Sequence, residues 1–202
     1  MENEIVLGLD RNLLSDILTI QKGFIKDTNH YSFIKQNLRG MDRPLAETDP
    51  SFKQVIPYLY IQHGDEFLLY VRTKKQTETR LHEKMSLGIG GHINPIDEVS
   101  KEDIINEALK RELTEEIDIP IINAPSFMGF INDDLSEVGS VHLGLVFCAQ
   151  AVSKSFNVIE KDKMRCEWVT KEFISTNYDK LESWSQILFD FLNTTKYDFN
   201  KV

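Results

Sequence analysis

Residues 103 to 116 place apolar and acidic side chains on one helical arc and end in Arg111-Glu112-Leu113-Thr114-Glu115-Glu116. At ~3.6 residues per turn, Glu112, Glu115 and Glu116 fall within roughly 100° of one another. Ile104, Ile105, Ala108 and Leu109 share that arc, while Asp103, Asn106, Glu107, Lys110 and Thr114 fall opposite. The pattern predicts a helix that turns three carboxylates, with its apolar stripe, toward the protein.

Carboxylates on the covered side of a helix repel one another and lose hydration, so they stay ionised only where cations or hydrogen-bond donors compensate. A divalent ion does this for all three at once. Oxygen donors suit Mg²⁺ or Mn²⁺, and a chain with two cysteines and no paired-histidine motif offers little to zinc. The competing reading of these residues alone is a solvated acidic helix. Upstream, Ser86-Leu87-Gly88-Ile89-Gly90-Gly91-His92-Ile93-Asn94-Pro95 interrupts an alternating apolar run with three glycines. Glycine there permits close backbone approach, so a carbonyl at Gly90 or Gly91 could join the glutamates, or an amide could face a phosphate; a simple bulge or turn is the alternative.

Gly90-Gly91, an acidic segment and Arg111-Glu112-Leu113-Thr114-Glu115-Glu116, in that order, resemble the signature of the Nudix hydrolases, G-x5-E-x7-R-E-U-x-E-E-x-G-U with U a bulky aliphatic residue. The R-E-U-x-E-E core is met in full, and Ile119 fits the last aliphatic position. Two departures stand out. Nineteen residues separate Gly91 from Arg111 where the signature has thirteen, so the loop is six residues longer, and the isolated signature glutamate aligns with either Asp97 or Asp103. Asp118 replaces the signature's last glycine, which leaves the helix end to a residue that tolerates left-handed backbone less well.

The resemblance, which runs from about Val55 to about Asn177, implies an α/β protein: a Nudix-like α/β/α sandwich with a mixed sheet, the signature forming strand, loop and helix. It implies hydrolysis of a diphosphate linked to another group with Mg²⁺ or Mn²⁺. Carried over residue by residue, the metal ligands are Glu112, Glu115 and Glu116 with the Gly91 carbonyl. Arg111 orients a signature glutamate, and the family's additional loop acid falls on Glu160, with Asp162 in reserve. The proton acceptor is either Glu115 or Glu160.

Around that segment the chain divides into an amino-terminal extension (1–50), the catalytic domain (51–178) and a carboxy-terminal helix packed on the core (179–202). Val55–Tyr60 and Glu66–Arg72 read as strands joined at Gln62-His63-Gly64-Asp65, and Ser126–Asn132 and Val141–Ala149 as a second pair. Leu181, Trp184, Ile187, Leu188 and Phe191 have the spacing of the final helix. Arg72, at a strand end, and Arg80, in a polar loop, are candidate substrate contacts. His142 reads as a packing or surface residue.

A net charge of −9 disfavours extended nucleic-acid binding but leaves a small-molecule diphosphate open as partner. No run has membrane-spanning length, and two cysteines fit a cytoplasmic, disulfide-free protein; a homodimer is allowed by the extension. The expected function is metal-dependent hydrolysis of a nucleoside diphosphate derivative or related small molecule. The alternatives are a non-catalytic Nudix-like nucleotide-binding or regulatory module, and a diphosphate isomerase on the same fold.

Overall fold

The computed structural model describes residues 4–72, 84–97 and 103–194, with the side chain of Arg72 outside the description. Among the described residues, ten of twelve strands are hydrogen-bonded into a large mixed sheet accompanied by six α-helices. The expected α/β class is observed. The chain forms two compact units by its internal contacts: residues 1–58, 90–112 and 127–146, and residues 59–89, 113–126 and 147–202.

In the first unit, the amino-terminal residues supply strands β1 (Ile5–Asp10), β2 (Lys22–Ile25) and β3 (Arg39–Asp42) and the short helices α1 (Tyr31–Gln36) and α2 (Arg43–Ala46). β1 lies antiparallel to the start of β4 (Phe52–His63), with Gly8 opposite Gln54, and β3 pairs with β1. The order continues from β4 through β10 (His142–Gln150) and β9 (Ser126–Asp133) to β2. Gly8 is required where β1 crosses β4, because a β-carbon there would lie 2.2 Å from the Lys53 carbonyl oxygen. The unit's apolar interior includes Val6, Leu9, Ile34, Val55, Phe130 and Leu143, all fully buried.

A polar knot lies inside the same unit. Lys53 is completely buried, and its Nζ donates to Asn132 Oδ1 at 3.0 Å, Asp134 Oδ1 at 2.7 Å and the carbonyls of Gly139 and His142 at 2.7 and 3.2 Å. Arg11 donates to the same Asp134 carboxylate. Burial pushes the Asp134 carboxyl up, but hydrogen bonds from Arg11, Lys53 and Asn132 outweigh it and hold the group well below the usual carboxylate range. The turn-rich 133–139 segment becomes helix α4 (Glu137–Ser140), capped by Ser136 Oγ accepting from the Gly139 amide at 3.0 Å.

In the second unit, β4 and β5 (Glu66–Arg72) form the expected hairpin, with Gln62 opposite Phe67 and Gly64 at φ +58° in the turn. β5 also pairs with β6 (Met85–Ser86) and along its length with β12 (Met164–Val169). β7 (Gly88–Gly90) pairs with β4. Two-residue strands β8 (Ile117–Asp118) and β11 (Asn157–Val158) make a separate antiparallel ribbon. After α5 (Lys171–Thr176), the chain closes with α6 (Ser183–Thr194). The buried face of α6 is Ser185, Ile187, Leu188, Phe189 and Leu192, while Trp184 and Phe191 are only half-buried. Leu181, Ile187 and Leu188 are buried as expected, and the buried face extends past them to Ser185, whose Oγ accepts from the Leu87 amide at 2.9 Å.

Candidate active site

The signature segment is helix α3 (Ile104–Glu116). Asp103 starts it, accepting the Ile105 amide on Oδ1 at 3.1 Å, and its other oxygen takes Tyr31 OH at 2.9 Å and Lys35 Nζ at 3.3 Å. Ile105, Ala108 and Leu109 are buried and Ile104 is half-buried, so the apolar stripe faces inward as expected. Glu112 and Glu116 continue the stripe and are partly covered, whereas Glu115 is exposed. One of the three acids thus lies at the solvent side of the expected arc.

Arg111 is the hub of the first unit's half of the signature. Its Nε donates to Asp97 Oδ1 at 2.7 Å and its Nη2 to Asp97 Oδ2 at 3.2 Å, a two-pronged grip on a carboxylate that is 3% exposed. Nη1 donates to Glu112 Oε1 at 2.7 Å, and Nη2 also reaches the His92 carbonyl at 2.8 Å. These hydrogen bonds, that to Asp97 first, raise the guanidinium pKa further above its ordinary value. The two alignments of the isolated signature acid are thereby distinguished: Asp97 pairs with Arg111, and Asp103 caps the helix. A 3-10 turn at Pro95–Asp97 places Asp97, whose Oδ2 also accepts the Asn94 amide at 2.8 Å.

Gly91 meets the same carboxylate from the other side. A β-carbon at position 91 would fall 2.1 Å from Glu112 Oε1 and 2.4 Å from Oε2, so any side chain here would displace the carboxylate from its seat. At Gly90 the obstacle would be backbone, the Pro57 carbonyl at 2.6 Å.

In the second unit, α3 is followed at once by a strand. The chain enters β8 directly, Asp118 pairs with Asn157, and the Glu116 carbonyl accepts the Ile159 amide at 2.9 Å. An extended Asp118 has no need of the signature's glycine. The ribbon carries the 159–163 turn to the end of α3, where Lys163 pairs with Glu160. That pairing raises the Lys163 pKa, and the charges of Glu116 and Glu115 add to it. Burial and the charge of Glu116 push the Cys166 thiol up to about 12. Arg72 lies at the end of β5 opposite Met164, and Arg80 lies outside the described residues, as does His82.

A second cluster was not legible in the sequence. Glu47, His92 and His142 each place one ligand atom within 4.8 Å of the other two. His142 follows α4 at the start of β10, His92 follows Gly91, and Glu47 ends α2. Burial holds both imidazoles below their ordinary pKa, His92 at about 3, with the Arg43 charge adding to the effect on His92.

No protein-family model matches the chain. It is 36% identical to the protein YmaB of Bacillus subtilis over 184 residues, covering 87% of this chain and 89% of YmaB. The fold matches that of Tm1382, a protein assigned as a Nudix hydrolase, with a TM-score of 0.81 and 31% identity over 95% of this chain and all of Tm1382. A MutT protein from Methanosarcina mazei shares the fold at a TM-score of 0.52 and 24% identity, covering 71% of this chain and 96% of that protein. With the intact R-E-U-x-E-E core on α3, these likenesses make the chain a member of the Nudix superfamily and a Nudix-type hydrolase.

Proposed function

We propose that the protein is a metal-dependent hydrolase cleaving the diphosphate linkage of a nucleoside diphosphate derivative or related small molecule. The observation that carries this reading is the seating of Glu112, bonded to Arg111 and packed directly against the side-chain-free position Gly91. Such confinement of one carboxylate fits a ligand that must keep its place under an ion's charge.

The donor set suits a hard ion: three carboxylates spaced i, i+3 and i+4 along α3 and a backbone carbonyl at Gly91. Mg²⁺ or Mn²⁺ bound by these groups would neutralise phosphate oxygens and lower the pKa of a water. Arg111 orients Glu112, and Asp97 in turn fixes the guanidinium. Glu115 or Glu160 accepts the proton from the attacking water. Arg72 and Arg80 contact substrate phosphate. The two free thiols, Cys148 and Cys166, support a cytoplasmic setting.

The purified protein, given a panel of nucleoside diphosphate derivatives with Mg²⁺ or Mn²⁺, is expected to release phosphate-containing fragments, and chelation to stop the release. Unchanged Mg²⁺-dependent turnover in both Glu115→Gln and Glu116→Gln would reject the assignment.

A further inference from the structure

His142 Nδ1 lies 2.7 Å from the Val138 carbonyl oxygen, which can only accept, so a neutral ring carries its proton on Nδ1 and its lone pair on Nε2. That lone pair faces His92 Nε2 at 3.4 Å, with the rings tilted 58° and their centroids 5.5 Å apart. The separation is longer than the ~2.7–3.2 Å of a good hydrogen bond from nitrogen. A tetrahedral ion with metal–nitrogen bonds of about 2.0–2.1 Å holds two ligands roughly 3.4 Å apart. Glu47 Oε1 stands 3.9 Å from His92 Nε2 and within 4.8 Å of a His142 ring nitrogen, on an exposed side chain that can move toward both.

We propose that Glu47, His92 and His142 form a binding site for one divalent transition metal of the zinc class, separate from the carboxylate set on α3. Two imidazoles and a carboxylate are borderline-soft donors that favour Zn²⁺ over Mg²⁺. The Val138 carbonyl is the outer partner that fixes the His142 ring and increases its basicity. Arg43, which donates to Glu47 Oε1 at 3.3 Å, keeps its stronger contact with Glu4 Oε2 at 2.8 Å when the metal takes that oxygen. Among the described residues, this is the group of three histidine, cysteine or acidic residues gathered this closely. The ligands tie α2 to the glycine loop and to β10. Because the His92 carbonyl accepts from Arg111, the ion would brace the loop from which Gly91 is presented. This assignment is independent of the proposed hydrolysis.

The test uses the full-length protein, stripped with a chelator and titrated with Zn²⁺ against a chromophoric competitor and with Co²⁺ by visible absorption. One equivalent of Zn²⁺ and an intense tetrahedral Co²⁺ spectrum are expected, and both should persist in Glu115→Gln/Glu116→Gln. His92→Asn and His142→Asn should weaken Zn²⁺ binding by on the order of 100-fold or more and remove the Co²⁺ bands. Glu47→Gln, at the protein surface where folding is not at stake, should weaken binding as well. Absence of Zn²⁺ binding by the folded protein, or binding unchanged in Glu47→Gln and in the folded histidine variants, overturns the proposal.

Discussion

The carboxylate of Glu112 lies so close to the backbone of Gly91 that a β-carbon at position 91 would fall 2.1 Å from Glu112 Oε1. That carboxylate is also bonded to Arg111, so it cannot swing aside without breaking a charge-assisted hydrogen bond. Gly91→Ala is therefore expected to cost about 1–3 kcal/mol of stability through overpacking. Displacing the acid by an ångström should lower turnover by on the order of 10²-fold. Urea denaturation and steady-state kinetics on the same preparation separate the two effects. Wild-type turnover in Gly91→Ala would show that Glu112's position is immaterial to the chemistry.

Arg111 and Asp97 form the pair whose loss should be felt most in stability. Removing the cation in Arg111→Met leaves Asp97, 3% exposed, as a buried charge without its main partner, at an expected cost of about 3–5 kcal/mol. Asp97→Asn keeps an acceptor for the guanidinium and for the Asn94 amide, so it should cost less. The double variant should recover part of the loss relative to Arg111→Met, because no buried carboxylate remains. Denaturant midpoints of the four proteins measure the coupling, and strictly additive losses would argue against the pair.

The Asp134 network predicts a pH dependence. Its folded pKa lies below the unfolded value of about 3.9, so the stabilisation is fully present above that value and is lost as pH falls through the folded pKa. Asp134→Asn should be less stable than wild type at neutral pH by up to about 3 kcal/mol, because Lys53 stays buried with fewer countercharges. The gap should narrow steadily below about pH 4 as the wild-type carboxyl takes up its proton. Urea midpoints of both proteins from pH 7 down to pH 2 give the curve, and a gap independent of pH would refute the assignment to this carboxyl.

What the sequence disclosed, and what it did not, follows from the range of the interactions. Helix α3 and the Gly64 hairpin were legible because their determinants are local: a stripe at helical spacing and a two-residue turn. Asp97 and Asp103 were indistinguishable because the choice rests on which acid the longer loop returns to Arg111, a contact spanning fourteen positions. The signature's missing glycine looked like a defect only while the β8 and β11 ribbon was unseen. The buried face of α6 was legible at Ile187 and Leu188 but not at Ser185, a polar residue bonded to a distant backbone amide, of which hydrophobicity carries no sign. His92 and His142 lie 50 positions apart, and no spacing rule joins them to Glu47.

Between the two candidate bases, the surroundings favour Glu115. Glu160 is engaged by the ammonium of Lys163, which competes with a water for its oxygens. Glu115 is exposed on α3, and water has access to it. Loss of a general base costs about 10²–10⁴-fold, so Glu115→Gln should lower kcat by an amount in that range. Glu160→Gln should change kcat by less, since Lys163 loses a partner while the acceptor remains. Steady-state kcat of both variants at saturating Mg²⁺ decides the question. A larger loss in Glu160→Gln than in Glu115→Gln would reverse the two roles.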